Sequence, residues 1–298
     1  MSPNLKGVLL ALVGTAMFST AAALIKLAAA EYPVLQILFI RQAILFLVVS
    51  PAIVRGFPDN LRTRRIGLHA MRLTGAFVAL VCGFWAVAVL PLTMATVLAF
   101  SSVFFTTLLA VPLLGERVHV PRAAAICVGF AGVLAVMRPS PSGIADIQAL
   151  IPVAGAVGVA FAMVGVRKLS QTESAPTLLA YQAIFVGVLA GLPMPWLWVA
   201  PDIDGLILMV AIGLISSLGQ WVGVYALRSG EAGLVSSIEY MKLIYATLLG
   251  YLLFSEWPDA YTLAGAALIV GAAVFTIHRE ARRPRAGRPV AAKDTALP

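Results

Sequence analysis

"TTLLAVPLLGE" at residues 106–116 and "ATLLGYLLFSE" at 246–256 are two versions of one pattern, offset by 140 positions. The same offset lays "RQAI" at 41–44 on "YQAI" at 181–184, and "GFWAVAVL" at 83–90 on "GVYALRSG" at 223–230. The chain therefore contains one unit twice, and the make-up of that unit decides the fold. Of 298 residues, 61% are hydrophobic and only 11% charged. Soluble domains carry about 25% charged residues, so this composition is that of an integral membrane protein.

A membrane-spanning helix needs about 20 mostly apolar residues. Such segments fall near 7–29, 34–54, 66–90, 93–114, 119–138, 147–169, 175–199, 205–227, 231–254 and 259–278, five in each copy. Connectors such as "PLT" after Leu90 and "RSGEAG" at 228–233 are short, so neighbouring spans run antiparallel. An odd number of crossings per copy turns the second copy upside down relative to the first. Inverted repeats are a transporter signature, with the substrate site near the bilayer midplane where the copies meet. The expected organisation is a first five-helix repeat over 1–138, a second over 139–278, and a basic, Pro-rich, disordered tail over 279–298.

Lys and Arg set the orientation, because loops on the cytoplasmic side carry the excess. With the N-terminus inside, the inner connections hold Arg55, Arg62, Arg64, Arg65, Arg72, Arg117, Arg122, Arg167, Lys168 and Arg228, and the outer ones only Lys26 and Arg138. Both termini are therefore expected in the cytoplasm. The outer loop "PMPWLWVAPDID" at 193–204 has no basic residue, and its tryptophans suit the membrane interface. The net charge of +8 lies in these connections and the tail. It points to anionic lipid rather than nucleic acid.

Catalytic and metal chemistry find little support. Cys82 and Cys127 lie in apolar segments without ligand spacing, and His69, His119 and His278 are scattered near segment ends. No cofactor and no metal are expected. A membrane enzyme would need a Ser–His pair, paired Asp residues or a His/Asp cluster, and the only deep acid is Glu239.

The run "PLLGERVHVPRAAAICVGFAGVLAV" at 112–136 resembles the end of an EamA-type repeat, and "YLLFSEWPDAYTLAGAALIVGAAVF" at 251–275 resembles its second copy. Arg41 in "FIRQAILFLV" is similar to an arginine in the second helix of that family, which belongs to the drug/metabolite transporter superfamily. The resemblance spans about residues 5–278. It implies an all-α polytopic membrane protein of ten transmembrane helices, built as two inverted five-helix repeats around a central cavity. It also implies an exporter in a bacterial inner membrane, similar to amino-acid exporters of the YddG type. The expected cargo is a small molecule, amino acids with aromatic or other apolar ones among them. Efflux of drugs or organic cations is the alternative. The expected partners are that cargo and the lipid bilayer, with a monomer as the working unit.

Charged groups deep in a bilayer cost about 2.5–3.5 kcal/mol by insertion scales, so they line cavities or pair. In "SSIEYMKLIY" at 236–245, Lys242 is the twelfth residue of a span counted from 231, which puts it near the midplane. Glu239 is three residues earlier on the same helix face. The two either neutralise each other or line the cavity, where Lys242 takes a carboxylate and Glu239 an ammonium. Superfamily members that carry sugar phosphates have a lysine in the matching motif, so the resemblance implies the same role for Lys242. Its counterpart in the first copy is Ser102. Arg41, with Gln42 beside it, and Tyr181 with Gln182 occupy equivalent places in the second and seventh spans and are candidate wall residues. The alternatives are that Arg41 snorkels outward or binds backbone carbonyls, and that Tyr181 and Gln182 join helix to helix. Trp85, Tyr240, Tyr245 and Trp221 are candidate stacking partners for an apolar substrate. Glu116 and Glu256 each precede a helix start and are expected to favour its positive end. Pro112 is a candidate hinge.

Overall fold

The computed structural model describes residues 3–55, 63, 65–114, 120–137, 147–229 and 238–281. Its helices are α1 Pro3–Ala28, α2 Val34–Arg55, α3 Ile66–Val89, α4 Leu92–Ala99, α5 Ser102–Leu114, α6 Val120–Met137, α7 Leu150–Leu169, α8 Ala175–Gly191, α9 Met194–Leu197, α10 Ile203–Ser229, α11 Met241–Phe254 and α12 Ala260–Ala281. No strand occurs among the described residues. Taking α4 and α5 as one crossing, six segments are long and apolar enough to cross a membrane, and four shorter apolar helices accompany them. The protein is a ten-helix membrane bundle.

The helix ends follow local chemistry. Leu90 is extended because Pro91 follows it, which stops α3 and starts α4. Ser174 caps α8 by accepting the Thr177 N–H at 3.4 Å. Asp202 caps α10 through the Gly205 N–H at 2.8 Å. That bond and the Tyr32 hydroxyl hold the Asp202 carboxyl below the usual carboxylate range. Ser255, left-handed at φ 54°, closes α11.

In three of the expected spans the described helix is not continuous. The segment 175–199 is not one helix, because the chain turns at Leu192–Pro193 and continues as the single turn α9. The segment 93–114 breaks at Phe100–Ser101, while α5 runs on through Pro112, so the discontinuity is not at the proline. In the second copy α11 begins only at Met241, with Glu239 and Tyr240 in a turn and 231–237 outside the described residues. Both breaks are made of tight three-residue bonds: Val103 N–H to Phe100 O at 3.2 Å, and Leu243 N–H to Tyr240 O at 3.0 Å. Phe100 and Tyr240 are equivalent positions, so among the described residues the same kind of turn leads into α5 and into α11. The tail beyond Ala281 lies outside the described residues.

The packing shows the inverted symmetry directly. α1 packs on α10 as α3 packs on α7, and α5 meets α7 as α11 meets α1. α2 faces its own equivalent α8, and α6 faces α12. Only residues near a two-fold axis can touch their own equivalents, and two such pairs are seen among the described residues. Gln42 donates from Nε2 to the Gln182 carbonyl at 3.3 Å. The Phe100 and Tyr240 rings lie 5.3 Å apart, tilted by 47°. The axis therefore passes between α2 and α8 and between the two helix breaks.

Small residues bring backbones together, as expected where helices associate in lipid. A Cβ on Gly158 would lie 2.7 Å from both Ala79 N and Gly75 O, and one on Gly265 would lie 2.6 Å from Gly132 O. Backbone cannot retreat as a flexible side chain can. Gly158→Val is therefore expected to lower stability by about 1–3 kcal/mol, the usual cost of overpacking. Gly271→Val is the control, since a Cβ there meets nothing within 4 Å. Melting of the two purified variants in detergent separates them, and equal melting temperatures would contradict the close packing.

Candidate functional site

A cavity of about 250 Å³ lies between α1, α3, α4, α7 and α11. Its wall is made mostly of small apolar residues, among them Ala22, Ala79, Gly83, Ala86, Ala99 and Gly155. Ser19 and Thr96 supply hydroxyls, and Lys242 is the one charged side chain in the wall among the described residues. Thr96 donates to Leu92 O at 2.8 Å, so its hydrogen is already used. The chamber is thus an apolar room with a cation at one edge.

The break before α11 positions that cation. Lys242 is the second residue of α11, and its N–H still bonds to Glu239 O at 3.1 Å across the turn. The Lys242 ammonium donates to the Glu239 carboxylate. It also sits 5.0 Å from the centre of the Phe18 ring, a cation–π distance. The side chains are 27% and 47% exposed, so neither charge is sealed in protein. Tyr240 packs on Phe100 beside the pair.

The other candidates lie elsewhere. Arg41, 6% exposed on α2, donates from Nη1 to Gln42 Oε1 at 2.7 Å. Gln42 is fully buried against α8, Tyr181 stacks on His69 with ring centres 4.6 Å apart, and Gln182 Oε1 accepts from Arg72 Nη2 at 3.3 Å. None of these lines the cavity. Trp85 is 51% exposed, because the cavity face of α3 runs through 79, 83, 86 and 87 and residue 85 points off it. Trp221 and Tyr245 are likewise outside the wall. Of the expected wall of Arg41, Gln42, Tyr181, Gln182, Trp85, Glu239, Tyr240 and Lys242, only Lys242 lines the cavity. Glu239 and Tyr240 sit in the turn beside it, and Arg41 and Gln42 are buried on α2. The Tyr181 and Gln182 side chains of α8 meet His69 and Arg72 of α3, and Trp85 lies on another face of α3.

Two polar clusters were not foreseen. At the end of the bundle where α3 begins, Glu173 joins the two copies: it accepts from the Thr63 hydroxyl at 2.6 Å and meets His69 Nε2 at 2.6 Å. His69 and Glu173 are almost completely buried, at 4% and 7% side-chain exposure. Arg72, which the sequence suggested for a solvent-facing connection, lies buried on α3 with Nε and Nη1 unpartnered. A three-residue spacing, His69 to Arg72 to Gly75, was the available signal for this buried stripe. At the opposite end, Lys26 donates to Leu90 O at 2.7 Å and pairs with Glu256. Glu256 Oε2 accepts the Leu92 N–H at 2.8 Å, so it caps α4 in the other copy. The helix that follows it is capped instead by Asp259, at 2.7 Å from Thr262 N. Glu116 lies outside the described residues. No group of His, Cys, Asp and Glu among the described residues is placed to hold a metal ion.

Ten helices in two inverted copies around a chamber with a charged edge define a membrane transporter rather than an enzyme. The chain matches the EamA-like transporter family over residues 5–138 and 147–278, and it belongs to that family. It is 33% identical to the pseudopaline exporter CntI of Pseudomonas aeruginosa, over 90% of this chain and 94% of that one. It is 28% identical to an S-adenosylmethionine uptake transporter of Rickettsia bellii, over 82% and 84% of the two chains. Identity to a riboflavin transporter of Vibrio cholerae is 27%, over 87% and 88%. A solved crystal structure shares the fold at a TM-score of 0.64 and 20% identity, covering 94% of this chain and 100% of the other.

Proposed function

We propose that the protein exports amino acids, aromatic or other apolar ones among them, across the bacterial cytoplasmic membrane by alternating access. Both termini are read as cytoplasmic, and one chain, with both repeats, is the working unit. The observation that carries this reading is the Lys242–Glu239 pair at the edge of an otherwise apolar chamber. A zwitterion can enter by exchanging one internal ion pair for two external ones, carboxylate on Lys242 and ammonium on Glu239, with no change in net charge. The apolar wall then receives the side chain. Relatives carrying small metabolites support the class of cargo, and one of them is named for S-adenosylmethionine, which is itself an α-amino acid. The relatives' names include both export and uptake, and the export reading follows the relative with 33% identity.

Counterflow in proteoliposomes tests the proposal. Vesicles preloaded with an unlabelled amino acid are expected to accumulate labelled amino acid transiently, with saturable rates. Exchange of organic cations without exchange of any amino acid would support the drug-efflux alternative and remove this one. A lysine in the wall argues against that outcome, because it repels cationic cargo.

A further inference from the structure

Glycines occur at two places in the chamber wall, and they differ in what surrounds them. A Cβ on Gly155 would lie 3.1 Å from Cys82 Cβ and 3.6 Å from Ala79 O, so this glycine serves the packing of α7 on α3. A Cβ on Gly83 would meet nothing within 4 Å. Gly83 lines the chamber and is open to it, so its missing side chain is cavity volume rather than helix contact. Its neighbours along the same face of α3 are Ala79 and Ala86, which also keep the wall thin.

The volume says what such a wall admits. An apolar cavity of about 150 Å³ takes benzene, and this one is about 250 Å³. It has room for a fused ring and is far larger than a short aliphatic side chain requires. We propose that the chamber is the side-chain subsite of the transported amino acid, that it selects bulky, ring-bearing side chains, and that Gly83 sets its upper size limit. This rests on the amino-acid reading above and adds the determinant of specificity.

The charged end of the substrate and its side chain then occupy separate parts of the site. Lys242 and Glu239 act on the backbone groups common to every amino acid, and Gly83 acts on the part that differs. Substitution at Gly83 is therefore expected to change which amino acids are carried without uncoupling transport. A side chain there takes space from the ring and leaves the zwitterion contacts in place.

The test is a counterflow panel from alanine to tryptophan on the wild type, Gly83→Ala, Gly83→Val and the control Gly271→Val, with melting temperatures alongside. The wild type is expected to favour tryptophan and phenylalanine. Gly83→Val is expected to lower kcat/KM for tryptophan by roughly 10-fold or more, the scale of steric discrimination in an apolar pocket. Alanine should change less than about twofold, and Gly83→Ala should fall between. Gly271→Val should match the wild type throughout. Gly83 variants that slow all amino acids alike, or none, overturn this inference and leave the amino-acid reading standing. A wild type that exchanges no amino acid overturns both.

Discussion

Replacing Lys242 with alanine is expected to lower kcat/KM for amino-acid counterflow on the order of 100-fold while leaving the melting temperature almost unchanged. The two halves of this expectation come from different magnitudes. Losing the cation that meets a substrate carboxylate in an apolar site costs about 2–5 kcal/mol, and every 1.4 kcal/mol is tenfold. A value in the lower half of that range, about 2.8 kcal/mol or 100-fold, applies here, because Lys242 keeps 27% exposure. The internal Lys242–Glu239 pair contributes much less to folding. The two side chains are 27% and 47% exposed rather than sealed in protein, and where water fills the chamber such a pair is worth about 0–1 kcal/mol. A purely structural pair gives the opposite pattern, lost stability with transport retained. Lys242→Arg keeps the charge and should recover part of the rate.

Glu173→Ala is expected to do the reverse, destabilising the fold by about 3 kcal/mol or more, which is the usual consequence of removing one partner from a buried polar pair. Glu173 is 7% exposed and holds both the Thr63 hydroxyl and the His69 ring at 2.6 Å. Without it His69, whose Nδ1 is already unpartnered, loses the partner of its Nε2, and the buried Arg72 loses an acid whose charge favours its own. Glu173 comes from the connection between α7 and α8, and His69 from α3, so the bond ties the second copy to the first. Denaturant or thermal unfolding in detergent checks the expectation, with Glu239→Ala as the comparison. A shift for Glu173→Ala no larger than that for Glu239→Ala would contradict it.

Architecture was legible because a bilayer demands about 20 apolar residues per crossing, and a 140-position repeat of such segments leaves few alternatives. Lys242 was legible for the same reason: a cation in that setting stands out. What lay beyond reach was helix phase. Arg41, Gln42, Tyr181 and Gln182 are polar residues at equivalent depths, and depth alone suggested a common wall. The phase of α2 and α8 instead lets Gln42 bond the Gln182 carbonyl across the axis and turns the Tyr181 and Gln182 side chains onto His69 and Arg72 of α3. Trp85 failed similarly, two residues from Gly83 and on a different face of α3. The helix break at Glu239–Tyr240 has no proline or glycine to announce it. It became visible only as the partner of the break at Phe100–Ser101. Glu173 looked like an ordinary loop acid, because nothing local says that a connection folds inward onto another helix.

The central claim is that Lys242 and Glu239 together hold a zwitterion. Equilibrium binding to the purified protein of tryptophan, tryptamine and indole-3-propionate isolates it, since the three share a ring and differ in the charged groups. The account predicts that tryptophan binds at least about tenfold tighter than either analogue, and that Lys242→Ala removes its advantage over tryptamine. Tryptamine binding as tightly as tryptophan, unaffected by Lys242→Ala, would contradict it.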